Sequence, residues 1–308
     1  MARAVVATAY GGPDVLRVVE HDPGLPGPGE ALVEMRAAGV NPADWKTYSG
    51  AWGDDEARLP LRLGFELAGT VLEAGEGVDR AWVGQEVVAH PVSGAYADRV
   101  LVRASRLVPR PAALDVTEAG ALLLAGTTAL HALDAAGVGA GDTVLVHGAS
   151  GGVGSMVTQL ALRRGARVVG TASRAKHDDV VELGATAITY GPGLHGRVEQ
   201  AAPGGLTAAI DTVGTDEALD TSVALVADRR RVVTIVAAAR GTALGVTVMS
   251  GNGGLTAEQR ARAREHVASL AAAGHLRVRV GAVYHLADVV QAHRSAMSGT
   301  RGRVVLVP

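Results

Sequence analysis

The chain of 308 residues contains no cysteine. That excludes disulfides, a thiolate nucleophile and any cysteine-ligated zinc. Aromatic residues make up only 3%, with one phenylalanine, Phe65; the only lysines are Lys46 and Lys176, and the only asparagines Asn41 and Asn252. Where Arg supplies nearly all the positive charge, a Lys stands out for chemistry of its own. Neither sign of charge dominates: the net charge is −2 and no basic stripe occurs, which excludes nucleic acid and membrane surfaces as partners. The first ten residues lack a signal-peptide apolar core, and the most apolar later stretch, 119–136, is broken by Thr127, Thr128 and His131. No membrane span is expected, and the cytoplasm is the expected compartment.

What is present is a hydrophobic fraction of 48% against 19% charged residues, enough for a full core in one large domain or two. One stretch, 143–161, organises the rest. An apolar run, Thr143-Val-Leu-Val-His147, reads as a buried parallel strand, and the spacing of Met156, Val157, Leu160 and Ala161 reads as a helix. Between them Gly148, Gly151 and Gly154 recur every third residue, suited to a tight turn, close approach of a ligand to bare backbone, and close helix-to-strand packing. A helix N-terminus offers free N–H groups to an anionic pyrophosphate, to which Ser150, Gly152 and Val153 would add. Two other motifs compete. A P-loop is excluded because no Gly-Lys-Ser/Thr follows. A nucleophile elbow fits Gly148-Ala149-Ser150-Gly151-Gly152 literally, but the turn follows the first strand of its α/β region and no HGGG-type loop lies upstream, which disfavours a hydrolase.

Short strands are expected at 2–9, 15–20, 30–38, 67–74, 85–90 and 96–102, separated by Gly/Pro clusters, so the first 110 residues read as an all-β domain, a partly open barrel. Residues 117–136 read as helical, with Thr117 as N-cap and a break at Gly126. From 143 strands alternate with helices: strands 143–147, 167–171, 186–190, 207–211, 231–236 and 245–249, helices 152–164, 174–183, 194–201 and 216–226, and a loop at 237–244. This predicts a doubly wound parallel sheet. A loop at Gly251-Asn252-Gly253-Gly254 precedes a helix from Thr256 to about Ala273, a strand near 277–283, a helix Leu286–Met297 and a strand 303–307 that is expected to return to the first domain.

Taken in order, Ala38-Gly-Val-Asn-Pro-Ala-Asp-Trp-Lys46, Leu63-Gly-Phe-Glu-Leu-Ala-Gly-Thr-Val71, Gly94-Ala-Tyr-Ala-Asp98, Leu123-Leu-Ala-Gly-Thr-Thr-Ala-Leu130, Val146-His-Gly-Ala-Ser-Gly-Gly-Val-Gly154 and Gly302-Arg-Val-Val-Leu306 resemble the zinc-independent medium-chain dehydrogenase/reductases, in the quinone oxidoreductase (zeta-crystallin-like) branch. The resemblance implies an α/β protein: a GroES-like, partly open β-barrel catalytic domain at 1–121 and 252–308, and a doubly wound Rossmann domain for NADP(H) at 122–251. It places Asn41, Phe65 and Leu124 where zinc-using members carry metal ligands, so no metal is expected. Hydride transfer without a metal favours quinones or conjugated enones over alcohols. A homodimer through 245–249 is implied as well.

Cofactor choice is read at the end of the second strand, where an NAD enzyme carries Asp or Glu for the ribose hydroxyls. This chain has Ser173, Arg174 and Lys176 there, suited to a 2′-phosphate. By resemblance Tyr190 lies near the adenosine phosphate, and Asn41, Thr127, Val213 and Gly214 near the nicotinamide. Family members carry a Tyr where this chain has Lys46, with Tyr48 displaced by two, so Lys46 and Tyr48 are the two expected catalytic donors to the substrate oxygen. Trp45, Trp52, Phe65 and Leu124 are expected to line an apolar substrate pocket. His131 and His147 read as structural. A reading of a different class is a protein that holds NADPH without turnover.

Overall fold

The computed structural model describes residues 2–249 and 255–308, so the loop expected at Gly251–Gly254 lies outside the described residues. The chain forms two compact units, one of residues 1–124 and 264–308, the other of residues 125–263. Among the described residues no helix is long and apolar enough to cross a membrane.

The first unit is built on antiparallel strands. Ala2–Ala7 pairs with Leu16–His21 and with Leu61–Arg62. A larger sheet centres on Glu30–Gly39, which pairs with Leu67–Ala74, with Arg99–Arg103 and, through Gly39 and Ala38, with Val305 and Leu306 of the last strand, Arg303–Val307. That strand runs parallel to Val280–His285, while Glu86–Ala89 and Leu107–Pro109 extend the other side. β-Branched residues alternating with small ones supply the inward faces, and Val33, Met35, Val71, Val87, Val100, Val304 and Leu306 pack as one core.

The region is not all β. Pro42–Tyr48 is a helix, started by Pro42 at its first position and by the Asp44 carboxylate accepting the Asn41 N–H at 2.8 Å. The helical stretch expected from 117 begins instead at Val116, capped by Asp115, which exchanges bonds with Glu118 in both directions at 2.8 and 2.9 Å. The interruption falls at 120–122, and Leu123–Ala135 runs unbroken through Gly126.

The second unit is a sheet of six parallel strands in spatial order Thr186–Thr189, Arg167–Ala172, Thr143–His147, Ala208–Asp211, Val232–Thr234, Thr247–Val248. In chain order this is third, second, first, fourth, fifth, sixth, the doubly wound arrangement, with its switch point between the first and fourth strands. Helices Gly152–Arg163, His177–Glu182, Leu194–Ala201 and Asp216–Leu225 connect them. Residues 237–244, expected as a loop, contain a helix, Ala238–Leu244, stopped by Gly245 at φ +68°. Its Gly241, a weak helix former, is required by packing: a Cβ there would lie 2.7 Å from Thr234 Cγ2 and 2.8 Å from Val248 Cγ2, so glycine is needed to seat the helix on its strands.

Candidate functional site

In the second unit the wholly buried strand Thr143–His147 runs straight into the glycine turn. Gly148 has φ +74°, and its N–H is held by Thr171 Oγ1 at 3.1 Å. The Gly151 N–H closes the turn on Gly148 O at 2.9 Å, and Gly151 is the extended N-cap of helix Gly152–Arg163. A Cβ on Gly154 would stand 2.0 Å from Gly148 O, so the helix can begin this close only with glycine there. No side chain caps this end, and among the described residues the N–H groups of Gly152, Val153 and Gly154 have no acceptor. With the half-buried Ser150 beside them they form an anion-accepting corner at the switch point.

The neighbouring strand Arg167–Ala172 ends in a single 3₁₀ turn, Arg174–Lys176, with Ser173 at its head. Arg174 is exposed, and its guanidinium has no partner among the described residues; Lys176 is half-buried. Tyr190, 56% exposed, follows the third strand. Its loop is clamped by Arg197, which donates to the carbonyls of Thr189, Gly191 and Pro192 at 2.8, 2.7 and 2.9 Å. Thr127 is buried in the interior of Leu123–Ala135.

Two further residues shape this end of the sheet: Asp211, which no local motif announced, and His147, which reads as structural from the sequence. Asp211, fully buried at the end of the fourth strand, accepts the N–H groups of Val213 and Gly214 at 3.0 and 2.9 Å and the Thr234 hydroxyl at 2.7 Å. His147 is buried with Nε2 3.0 Å from Ser222 Oγ; burial pushes it down to about 4, so it is neutral and structural.

In the first unit a buried polar cluster surrounds helix Pro42–Tyr48. Asn41 donates from Nδ2 to Gly39 O and to Glu66 Oε1, both at 3.0 Å, and its Oδ1 accepts from Arg303 Nη2 at 2.6 Å. Arg303 also reaches Glu66 Oε1 at 3.0 Å, and Glu66 Oε2 accepts the Leu124 N–H at 2.9 Å. Asp44 accepts from Gly64 N at 3.1 Å and from Tyr96 Oη at 2.7 Å as well as from Asn41 N. Burial pushes Asp44 up to about 7 against the pull of these three donors. One turn on, Tyr48 is 1% exposed and its hydroxyl lies 3.0 Å from His293 Nδ1, in a ring of Trp45, Tyr48 and Tyr96 around the imidazole. Among the described residues His293 Nε2 has no partner, and burial pushes the ring down to about 4. Lys46, two residues from each buried anchor, projects from the opposite side of the helix, half-buried, its ammonium without a partner among the described residues.

Sequence profiles agree with this division. That of the alcohol dehydrogenase GroES-like domain matches residues 27–112, and that of the zinc-binding dehydrogenases residues 152–258. The quinone oxidoreductase of Pseudomonas aeruginosa is 32% identical over 100% of both chains. The chain belongs to the medium-chain dehydrogenase/reductase superfamily, in its quinone oxidoreductase branch. Among solved structures of that superfamily, a mycobacterial quinone oxidoreductase is 33% identical with a TM-score of 0.83 over 100% of both chains. A mycobacterial relative complexed with NADPH is 32% identical with a TM-score of 0.87, covering 99% of this chain and 100% of that one.

Against these superfamily expectations several residues take other duties. Tyr48 is withdrawn as a donor, because its hydroxyl is buried, paired with His293 and held protonated by burial and by the nearby Asp44 charge. Asn41 has both amide hydrogens engaged inside the cluster and offers none to a cofactor. Trp45 packs on the barrel core and Trp52 is 60% exposed. Phe65 and Leu124 are half-buried, with the Leu124 backbone tied to Glu66.

Proposed function

We propose that the protein is an NADPH-dependent oxidoreductase that delivers hydride to quinones or α,β-unsaturated carbonyls without a metal. The observation that carries the reading is the N-terminus of helix Gly152–Arg163, without an acceptor among the described residues, together with an exposed Arg174 that has no partner among them, and no acid at the end of the second strand. These residues fit NADPH: Ser150 and the N–H groups of Gly152, Val153 and Gly154 would hold the pyrophosphate, and Ser173, Arg174 and Lys176 the 2′-phosphate. The loop at Val213 and Gly214 would take the nicotinamide half, and Tyr190 the adenosine side. When bound, NADPH supplies the hydride.

A catalytic zinc does not fit the donor set. Of the three positions where zinc-using members carry ligands, Phe65 and Leu124 have no donor atom to give, and the amide of Asn41 is engaged by Gly39, Glu66 and Arg303. The Arg303 guanidinium, bonded to both Asn41 and Glu66, already occupies these two side chains with a cation of the protein's own. Reduction of a conjugated carbonyl builds negative charge on its oxygen, and Lys46 Nζ is the donor that this chain offers to it. The homodimer would form through Thr247–Val248, the edge strand of the six-stranded sheet.

Stopped-flow oxidation of NADPH by a panel of quinones and enones tests the reading. Binding followed by rapid loss of the reduced-nicotinamide absorbance is the expected result. Binding with no oxidation by any acceptor would leave a protein that holds NADPH without turnover, and absence of binding would overturn both.

A further inference from the structure

We infer that Asp211 and Thr234 are a positioning pair that locks together the two loops receiving the nicotinamide half of the cofactor; the inference rests on the function proposed above. Four backbone N–H groups from two separate loops converge on these two side chains. Asp211 Oδ1 takes Val213 N at 3.0 Å and Gly214 N at 2.9 Å. Asp211 Oδ2 takes the Thr234 hydroxyl proton at 2.7 Å, which leaves Thr234 Oγ1 to accept Val236 N at 3.3 Å and Ala237 N at 3.1 Å. Both side chains are fully buried, so neither has solvent as an alternative partner.

The two loops touch each other and the glycine turn. A Cβ on Gly214, which has φ +76°, would lie 2.8 Å from Val236 Cγ1, and one on Gly148 would lie 2.6 Å from Val213 Cγ1. Meanwhile Val213 is 43% and Val236 38% exposed, so the surface that the pair holds in place beside the turn is apolar and suits an uncharged ring face. Loops at the carboxyl ends of strands are otherwise the mobile part of such a sheet. A buried carboxylate is well suited to this task because all three of its partners donate. Asparagine, of the same shape, would keep the N–H bonds of one loop but turn an N–H toward Thr234 Oγ1, which already faces two N–H groups.

The test uses Asp211→Asn and Thr234→Val, with Thr234→Ser as the conservative control. Each is titrated with NADPH and with adenosine 2′,5′-bisphosphate, which carries the adenosine half alone, and single-turnover oxidation of bound NADPH by 1,4-benzoquinone is followed. We expect affinity for the bisphosphate within about 2-fold of the native protein, while NADPH affinity and the single-turnover rate each fall about 10-fold or more, the effect of one buried polar group left unsatisfied. Thr234→Ser should behave as the native protein. Unchanged NADPH affinity and rate in both variants would overturn the inference, and so would equal losses for the bisphosphate and NADPH, which mark a general structural role. A native protein that binds neither ligand would instead overturn the function on which the inference rests.

Discussion

Replacing His293 by phenylalanine should change the pH dependence of stability more than stability itself. In the folded protein the ring is buried and pushed down to about 4, whereas in the unfolded chain it titrates near its ordinary value of 6.5. Between those values the unfolded chain binds the extra proton, so the native protein loses stability as pH falls from about 6.5 toward about 4. At pH 5 that loss amounts to about 2 kcal/mol, from roughly 1.5 pH units at about 1.4 kcal/mol each. Phenylalanine keeps the ring contacts with Trp45, Tyr48 and Tyr96 but strands the Tyr48 hydroxyl, at a cost of about 1–3 kcal/mol that does not vary with pH. The variant should therefore be less stable than the native protein at pH 7.5 and close to it at pH 5. Asp44 titrates with the opposite sign, its raised value making the fold less stable as pH rises through about 4 to about 7, but it does so in both proteins and cancels in the difference. Urea unfolding at pH 5, 6 and 7.5, with m-values compared, measures that difference. A gap between native and variant that stays constant over this range would refute a buried neutral histidine at this position.

Removal of the Arg174 guanidinium, Arg174→Ala, should weaken NADPH about 10- to 100-fold in fluorescence titration and leave NADH affinity nearly unchanged, since one or more charge-assisted bonds to a 2′-phosphate are lost. Lys46→Met should lower kcat for enones roughly 100- to 1000-fold with NADPH affinity retained, and lower it less for quinones; an unchanged kcat would remove Lys46 from the chemistry. Gly154→Ala, whose Cβ would fall 2.0 Å from Gly148 O, should abolish binding of NADPH and NADH alike in the same titration.

Sequence pattern was informative wherever one residue's neighbours in the chain decide its structure. The strand Thr143–His147 and the helix Leu194–Ala201 have the ends that their apolar runs and breakers indicate, and Gly148 and Gly154 of the turn each have a steric reason to be glycine. Short helices escaped because seven residues hold too few turns for a period to show. Pro42–Tyr48 is set by its cap and its anchors, and Ala238–Leu244 carries a glycine that packing requires. The same blindness misassigned Tyr48: on a helix, Asp44 and Tyr48 share one face and Lys46 another, so recognising the helix would have turned Tyr48 inward. Asp211, Arg197 and His293 were out of reach for a different reason. Asp211 meets Thr234 on the neighbouring strand and His293 meets Tyr48 at the far end of the chain, partners that their own surroundings do not reveal, and Arg197 gains its role only once the loop ahead of its helix folds back onto it.

The pairing of the last strand with the first long one also governs the order in which the molecule can be completed as it is made. The second unit is a single continuous segment and can close on itself once residue 263 has emerged. Glu30–Gly39, made early, receives its neighbour at Gly39 and Ala38 only when Val305 and Leu306 arrive. Arg99–Arg103 covers Glu30 to Glu34 early, but at translation rates of roughly 5–20 residues per second the Ala38–Gly39 end stays unpaired for roughly 10 to 60 seconds. An unpaired strand end is a place where other chains can add, so the nascent barrel, rather than the nucleotide-binding unit, is the part of this protein that a ribosome-bound chaperone has most reason to cover.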